Sequence, residues 1–262
     1  MRQRYLTWLK ETKQLGIAGQ FSEAEGDLQK AIQYYMEGEL PGKAARLILR
    51  NRELSSQTSL VNQVATSLIK RELFSLAGEL FESLNQTDRA MECYRRGDDF
   101  RQAVELARKY FPNHVIKLEE EWGDYLVRIK QMDTAINHYI EAGNSDKAIE
   151  AAIGAQQWKK AQLILDQSDS PSNAKFYRII AHHYNQTKQF ESAAAMMIKG
   201  GDELNAVQML LDSSKWSDAY EMAQRTMRDD EIESLFCAKA DTEASNGNLR
   251  VAEELFCVIR KI

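Results

Sequence analysis

Four histidines (His114, His138, His182, His183) and three cysteines (Cys93, Cys237, Cys257) are the side chains of this 262-residue sequence best suited to hold a metal or attack a substrate. A zinc site needs such ligands at set spacings. Only His182 and His183 stand close together, and adjacent residues on a helix point to different faces. Each histidine therefore reads as a structural or surface residue. Cys93 is followed by Tyr94, Arg95 and Arg96, and neighbouring cations lower a thiol pKa. No histidine or second cysteine lies near it in sequence, so Cys93 reads as buried. The odd number and wide spacing of the cysteines argue against a disulfide frame and for buried thiols in a reducing compartment. Gly16, Gly19 and Gly26 follow no strand and precede no GK[ST], so they form no phosphate loop. No catalytic, cofactor-binding or metal-binding residue can be nominated, and an enzyme is not expected.

The remaining chemistry is that of binding. Glu119, Glu120 and Glu121 open a helix, where acidic side chains favour the positive end of the dipole. They could recruit a basic partner, but charge runs are usually solvated faces, and that is the reading adopted. Arg128, Lys130 and Asn137 would hold a peptide carboxylate if they converged on one groove. Met196, Met197, Met209, Met222 and Met227 could form an adaptable surface; their helical spacing favours the core. Trp158 and Trp216 read as core residues, Trp122 is less constrained, and Trp8 is a candidate exposed anchor. The net charge of −5 comes from 34 Lys and Arg against 39 Asp and Glu. No basic footprint for nucleic acid is present. No apolar run approaches the roughly 20 residues that span a bilayer, and the N-terminus lacks the apolar core of a signal peptide.

A ladder of small residues must position these side chains. Gly123, Ala135, Ala148 and Ala161 stand twelve or thirteen apart. The same ladder recurs upstream as Ala65, Ala77, Ala90 and Ala103, and downstream as Ala181, Ala193, Ala206 and Ala219, each copy displaced by fifty-eight. A small residue lets helix axes approach to about 8–10 Å, and a large residue four positions on shares its face. Phe81, Tyr94, Tyr139 and Met197 are such partners. Phe100, Trp158 and Trp216 each stand three before the last rung. Joint recurrence over three copies marks helical repeats.

The spacing predicts helices over 58–70, 73–84, 88–96 and 100–110, then 115–130, 132–142, 146–155 and 158–167. A third set follows at 174–187, 190–199, 203–212 and 216–226, and a final hairpin at 230–245 and 249–261. Asp88, Asp99 and Asn144 are candidate N-caps. Upstream, the reading gives one helix over 1–19, a second from Ser22 to Glu37 with Ser22 and Glu25 as a capping box, and a third over 43–50. Gly19 stands twelve before Ala31 as a possible first rung. Taking Ala31 as a second rung makes the first unit short, with the ladder breaking at Gln57. The units are then 1–57, 58–113, 114–171, 172–228 and 229–262 of a single array. Pro41 falls in the turn GELPGK, while Pro112 and Pro171 hold matching places after fourth rungs, where proline stops a helix. Neither end carries a polar capping helix, so the chain reads as a segment of something longer.

The paired rungs resemble the tetratricopeptide (TPR) hairpin, in Trp122, Gly123, Leu126, Ala135, Tyr139 and Ala142 and again in Tyr177, Ile180, Ala181, Tyr184 and Ala193. Three stretches go further: GDLQKAIQYYMEGELPGKAARLIL (26–49), ECYRRGDDFRQAVELARKYFP (92–112) and the run from Leu118 to Ala161. Their wording resembles the intraflagellar transport protein 172 family, large ciliary subunits of transport complex B. The resemblance implies an all-α, right-handed solenoid of degenerate TPR-like hairpins, following WD40 propellers in a longer chain. It implies a non-enzymatic scaffold for cilium assembly and cargo transport, with other transport subunits as partners. It also implies residence in the cilium and at the basal body, with a cytoplasmic pool. A general TPR peptide adaptor and a vesicle-coat subunit of propeller-solenoid plan are the alternatives.

Overall fold

Thirteen-residue spacing has a backbone cause. In the computed structural model, which describes residues 2–168, 170 and 172–259 with side chains from residue 4 onward, most helices end in a left-handed residue. These are Lys13, Gly26 and Glu39; Glu72, Asn85 and Asp98; Lys130, Gly143 and Gln156; Lys188, Gly201 and Ser214; and Gly247. After each, the next N–H donates to a carbonyl five residues back, as Gln14 does to Leu9, Gln86 to Phe81 and Asn144 to Tyr139. This is the Schellman closure, which satisfies carbonyls the helix leaves open. Three such turns are followed by a different link: Asn51 and Met227 are extended, and Phe111 leads into a 3-10 turn at Pro112–His114. Three tight turns and one open link make the four-helix period.

All the regular structure among the described residues is helical. The helices fall into two compact units, residues 1–131 with 141–143, and 132–140 with 144–262. The first unit holds α1 (Arg2–Glu11), α2 (Leu15–Ala24), α3 (Leu28–Glu37), α4 (Pro41–Arg50), α5 (Arg52–Ser55), α6 (Thr58–Lys70), α7 (Phe74–Ser83), α8 (Thr87–Arg96), α9 (Phe100–Tyr110) and α10 (Val115–Arg128). Then come α11 (Met132–Glu141), α12 (Ser145–Gly154), α13 (Trp158–Asp166), α14 (Asn173–Gln186), α15 (Phe190–Lys199), α16 (Glu203–Asp212), α17 (Trp216–Thr226), α18 (Asp229–Ser245) and α19 (Leu249–Ile259). Consecutive helices pack as hairpins, α7 on α8 and α15 on α16 among them, the arrangement of an all-α solenoid.

The alanine rungs of all three copies are buried, and so is Gly123. In the first unit the notches are deeper still. A Cβ at Gly19 would lie 2.4 Å from Tyr35 Cε1, and one at Gly78 would lie 2.5 Å from Tyr94 Cε1. Each buried tyrosine then needs a partner for its hydroxyl. Tyr35 donates to Glu23 at 2.8 Å and Tyr94 to Glu82 at 2.9 Å. The two triads are displaced by fifty-nine residues, so the repeat reaches the start of the chain.

That register corrects the upstream reading. The expected helix over 1–19 is α1 and α2, parted by the left-handed turn at Lys13. Ser22 lies buried inside α2 rather than capping a helix; Asp27 caps α3 by accepting from the Lys30 N–H. Ala18, Ala31 and Ala44 correspond to Ala77, Ala90 and Ala103 and are all buried. Ala31 is therefore a third rung, and the ladder does not break at Gln57 for want of an alanine: α5 intervenes there, capped by Asn51. Non-glycine left-handed residues hid this, since Lys13 and Glu39 carry no glycine signature. Asp88 lies one residue inside α8 instead of at its cap. Asp99 holds the N-cap position of α9 without a side-chain bond, and Asn144 caps α12 as expected. Pro41 is the first residue of α4, where its missing N–H costs nothing. Pro171 and the end of the last expected helix, 260–261, lie outside the described residues.

Candidate interaction surfaces

The groups that could do chemistry are mostly spent on structure. Cys93 is buried, and burial pushes its thiol above the ordinary range despite Arg96 nearby. The other two thiols depart from expectation: Cys237 is half-buried and Cys257 exposed. His183 stacks on Trp158 with ring centroids 3.9 Å apart and planes 9° from parallel. His182 and His183 border one shallow recess of about 350 Å³ with Trp158, Arg178, Ile179 and Gln186, so they do not serve opposite faces. Trp158 is thus a half-buried rim residue rather than core, and Trp216 is half-buried against the second unit's core. Phe100, their counterpart, is buried beside Tyr125. His138 is half-buried and His114 exposed. Among the described residues no three His, Cys, Asp or Glu side chains are grouped to hold a metal ion. No helix there is long and apolar enough to cross a membrane.

The acidic run is not a solvated face. Glu119 is 2% exposed and accepts from Arg108 at 2.9 Å. Glu121 accepts from Arg95 Nε at 2.9 Å, and Glu120 is half-buried. Helix α10 turns this run inward because its partner α9 carries Arg108 along the seam. Each residue of the candidate carboxylate-holding trio has its own local setting. Arg128 is 3.7 Å from Asp98 and lies over the Tyr125 ring. Lys130 is the left-handed residue of a turn, and Asn137 Oδ1 accepts from Lys160. Of the methionines, Met196 is buried. Met222 packs against the second unit's core. Met197 and Met209 line an open recess with Phe190. Trp8 is half exposed and stacks on Tyr5, while Trp122 packs on the first unit's core.

Two grooves that the sequence reading did not single out occupy matching places, between the third helix of one repeat and the first helix of the next. In the first unit α8 and α10 enclose about 450 Å³, lined by Asp88, Met91, Glu92, Arg95, Lys117 and Glu121 among others. Arg95 bridges Glu92 at 3.1 Å and Glu121 at 2.9 Å. In the second unit α16, the end of α17 and α18 enclose about 650 Å³, lined by Glu203, Leu204, Met227, Asp230, Glu231 and Leu235 among others. A two-residue link, Met227–Arg228, joins α17 to α18 here, and Met227 lines the groove. Its acidic residues sit in the first turns of α16 and α18, so from sequence they read only as helix starts.

The family of the TPR domain shared by intraflagellar transport proteins 140 and 172 matches residues 120–256 of this chain. The human intraflagellar transport protein 172 homolog is 44% identical over 261 residues, covering 100% of this chain and 15% of that protein. The Chlamydomonas reinhardtii intraflagellar transport protein 172 is 40% identical and covers 98% and 15%. Intraflagellar transport protein osm-1 of Caenorhabditis elegans is 34% identical and covers 99% and 15%. The chain thus spans 15% of the length of these curated relatives. A solved structure of the apo form of RapI, 13% identical and covering 99% of this chain and 79% of its own, has a TM-score of 0.30, too low to carry an argument.

Proposed function

The chain belongs to the TPR-domain family of intraflagellar transport proteins 140 and 172, and from that premise we propose that it is a non-enzymatic interaction scaffold, part of a complex B subunit of intraflagellar transport. In this reading it serves cilium assembly and the movement of ciliary cargo, resides in the cilium and at the basal body with a cytoplasmic pool, and takes other transport subunits as partners. The observation that carries the reading is the run of hairpins itself. Its alanine rungs are spent on packing, and the faces left to solvent are helix surfaces and grooves, which suit protein segments. The names of the relatives, all intraflagellar transport proteins, support the ciliary setting. A carboxylate-holding peptide adaptor is the less favoured reading, since Arg128 lies 3.7 Å from Asp98 and Asn137 Oδ1 accepts from Lys160.

Affinity capture with the tagged full-length protein from ciliated cells tests the proposal. Recovery of intraflagellar transport subunits, reduced when residues 120–256 are replaced by an unrelated helical repeat, is the expected result. Recovery of Golgi coat components instead, or of no transport subunit by a folded bait, would overturn it.

A further inference from the structure

We propose that the groove between α16 and α18 docks a basic amphipathic helix of a partner protein. Its floor is apolar: Leu204 is 56% exposed, and Met227 and Leu235 are half-buried beneath it. Its rim is acidic: Glu203 on one side, Asp230 and Glu231 on the other, with no lysine or arginine among the lining residues. Asp229 and Glu233 extend the negative charge along α18. Arg228 beside the groove pairs with Glu231 at 2.8 Å and lies 3.9 Å from Asp230; with Glu203 the rim carries three carboxylates against that one cation, so the balance stays negative. An apolar floor between carboxylate rims is the complement of a helix with leucine-like residues on one stripe and lysines or arginines beside it.

The matching groove in the first unit shows why this one is distinctive. Asp88, Glu92 and Glu121 line it, but Arg95, Lys117 and His114 line it too. Two of those carboxylates are bridged by Arg95. At corresponding places, Leu204 stands for Asp88, Glu231 for His114, Ser234 for Lys117 and Ala238 for Glu121. Both grooves keep one arginine shared by two carboxylates, Arg95 in the first and Arg228 in the second, but Ser234 and Glu231 stand in the second where the first has Lys117 and His114. The second groove is therefore the more acidic of the two, which favours an incoming cation.

This inference deepens the scaffold reading and rests on it only in taking a protein segment as the occupant. The test uses the full-length protein and a fluorescent helix-forming peptide of about 18 residues, or five turns, with leucines on one face and lysines flanking them. Anisotropy should show binding that weakens as salt screens the rims. Leu204→Asp, and separately Glu203→Lys with Asp230→Lys, should each weaken binding about tenfold or more, a difference of about 1.4 kcal/mol. Lys117→Ala in the first groove should leave it unchanged. All these sites are exposed, and matching thermal melts show that the variants fold. Hydrogen exchange on the complex should protect residues 203–238. No binding, equal binding of a peptide with glutamates in place of the lysines, or equal binding by both groove variants would overturn the proposal. Capture of transport subunits by the Leu204→Asp protein, alongside loss of the peptide, separates the two readings: the scaffold role then stands on other surfaces.

Discussion

The two units close the same hairpin seam in different ways. In the first, Gly78 on α7 receives the ring of Tyr94 on α8, and the ring's hydroxyl is tied to Glu82. In the second, the same places on α15 and α16 hold Ala194 and Leu210, both fully buried in one apolar cluster. A notch with an aromatic filler has become two middle-sized side chains. A second exchange runs in parallel: buried Glu119 on α10, paired with Arg108, corresponds to Phe236 on α18, which meets Tyr220 edge-on. The lesson is that the repeat keeps filled volume and satisfied polarity across a seam, and residue identity can change as long as both are kept.

The largest test breaks the notch. Gly78→Val places side-chain atoms where the ring of Tyr94 lies, with the Cβ alone 2.5–2.9 Å from three ring atoms. A loss of about 3 kcal/mol is expected in urea unfolding. Converting the seam to the second unit's form sharpens the comparison: Gly78→Ala alone clashes, Tyr94→Leu alone leaves a void, and the pair relieves both. A double-mutant cycle should show about 1–2 kcal/mol of favourable coupling. Additive losses would mean that the two residues do not share a seam.

Next in size is the buried ion pair. Arg108→Ala removes the cation facing a carboxylate that is 2% exposed. A stranded buried charge costs several kcal/mol, but Arg108 is itself mostly solvated and Glu119 has further interactions, so about 2 kcal/mol is expected. Glu119→Leu, which imitates the apolar residue of the second unit, should cost less than Arg108→Ala, because it leaves no buried charge and its arginine partner is mostly solvated. Equal losses in thermal melts would count against the asymmetry.

A smaller effect belongs to the tyrosine hydroxyls. Tyr94→Phe removes one hydrogen bond in a buried seam, and about 1 kcal/mol should be lost. These hydroxyls also give the first unit an alkaline limit. Tyr35 is pushed up to about 12, by burial first and then by its bond to Glu23, and Tyr94 is raised by burial and Glu82. An unfolded tyrosine titrates near 10. The folded state therefore holds its proton more tightly, so the stability from Tyr35 is complete below about pH 10 and is lost as pH rises towards 12. Melts across that window should flatten in Tyr35→Phe. Tyr177 and Tyr184 in the second unit are also raised, burial leading in both, so some alkaline sensitivity should persist there.

The repeat and the helices were legible because alanine at a fixed step is both a chemical and a geometric signal. Helices over 58–70, 100–110, 190–199, 203–212 and 216–226 have the expected bounds. The first copy is harder to read, because its notch at Gly19 and its turns at Lys13 and Glu39 use residues without a fixed signature. Surface chemistry was harder to read. Glu119 looks solvated in a run of glutamates, and only the neighbouring helix turns it inward to Arg108. Glu203, Asp230 and Glu231 read as ordinary helix starts, since nothing local says that two first turns border one groove. Composition along one helix cannot reveal what a later helix in the fold presents to it.

The finest comparison lies between the grooves, where stability should hardly change while binding does. In the first unit Arg95 serves both Glu92 and Glu121, and it is 45% exposed. Surface pairs of that kind contribute little, so Arg95→Ala should shift stability by no more than about 0.5 kcal/mol. The variant nevertheless leaves two carboxylates of the first groove without that arginine, and so moves it towards the acidic character of the second. Lys117 and His114 still border it, and Leu204 has no apolar counterpart there, because Asp88 holds its place. Binding of the lysine-rich peptide at this groove should therefore remain much weaker than at α16 and α18. Arg95→Ala together with Asp88→Leu and Lys117→Ser supplies both the charge and the apolar floor. If charge and floor are jointly what the second groove offers, the triple variant should gain a second, salt-sensitive peptide site, seen as new hydrogen-exchange protection over residues 88–121. A protein that binds one peptide before and after the change would show that the difference between the grooves lies elsewhere in their shape.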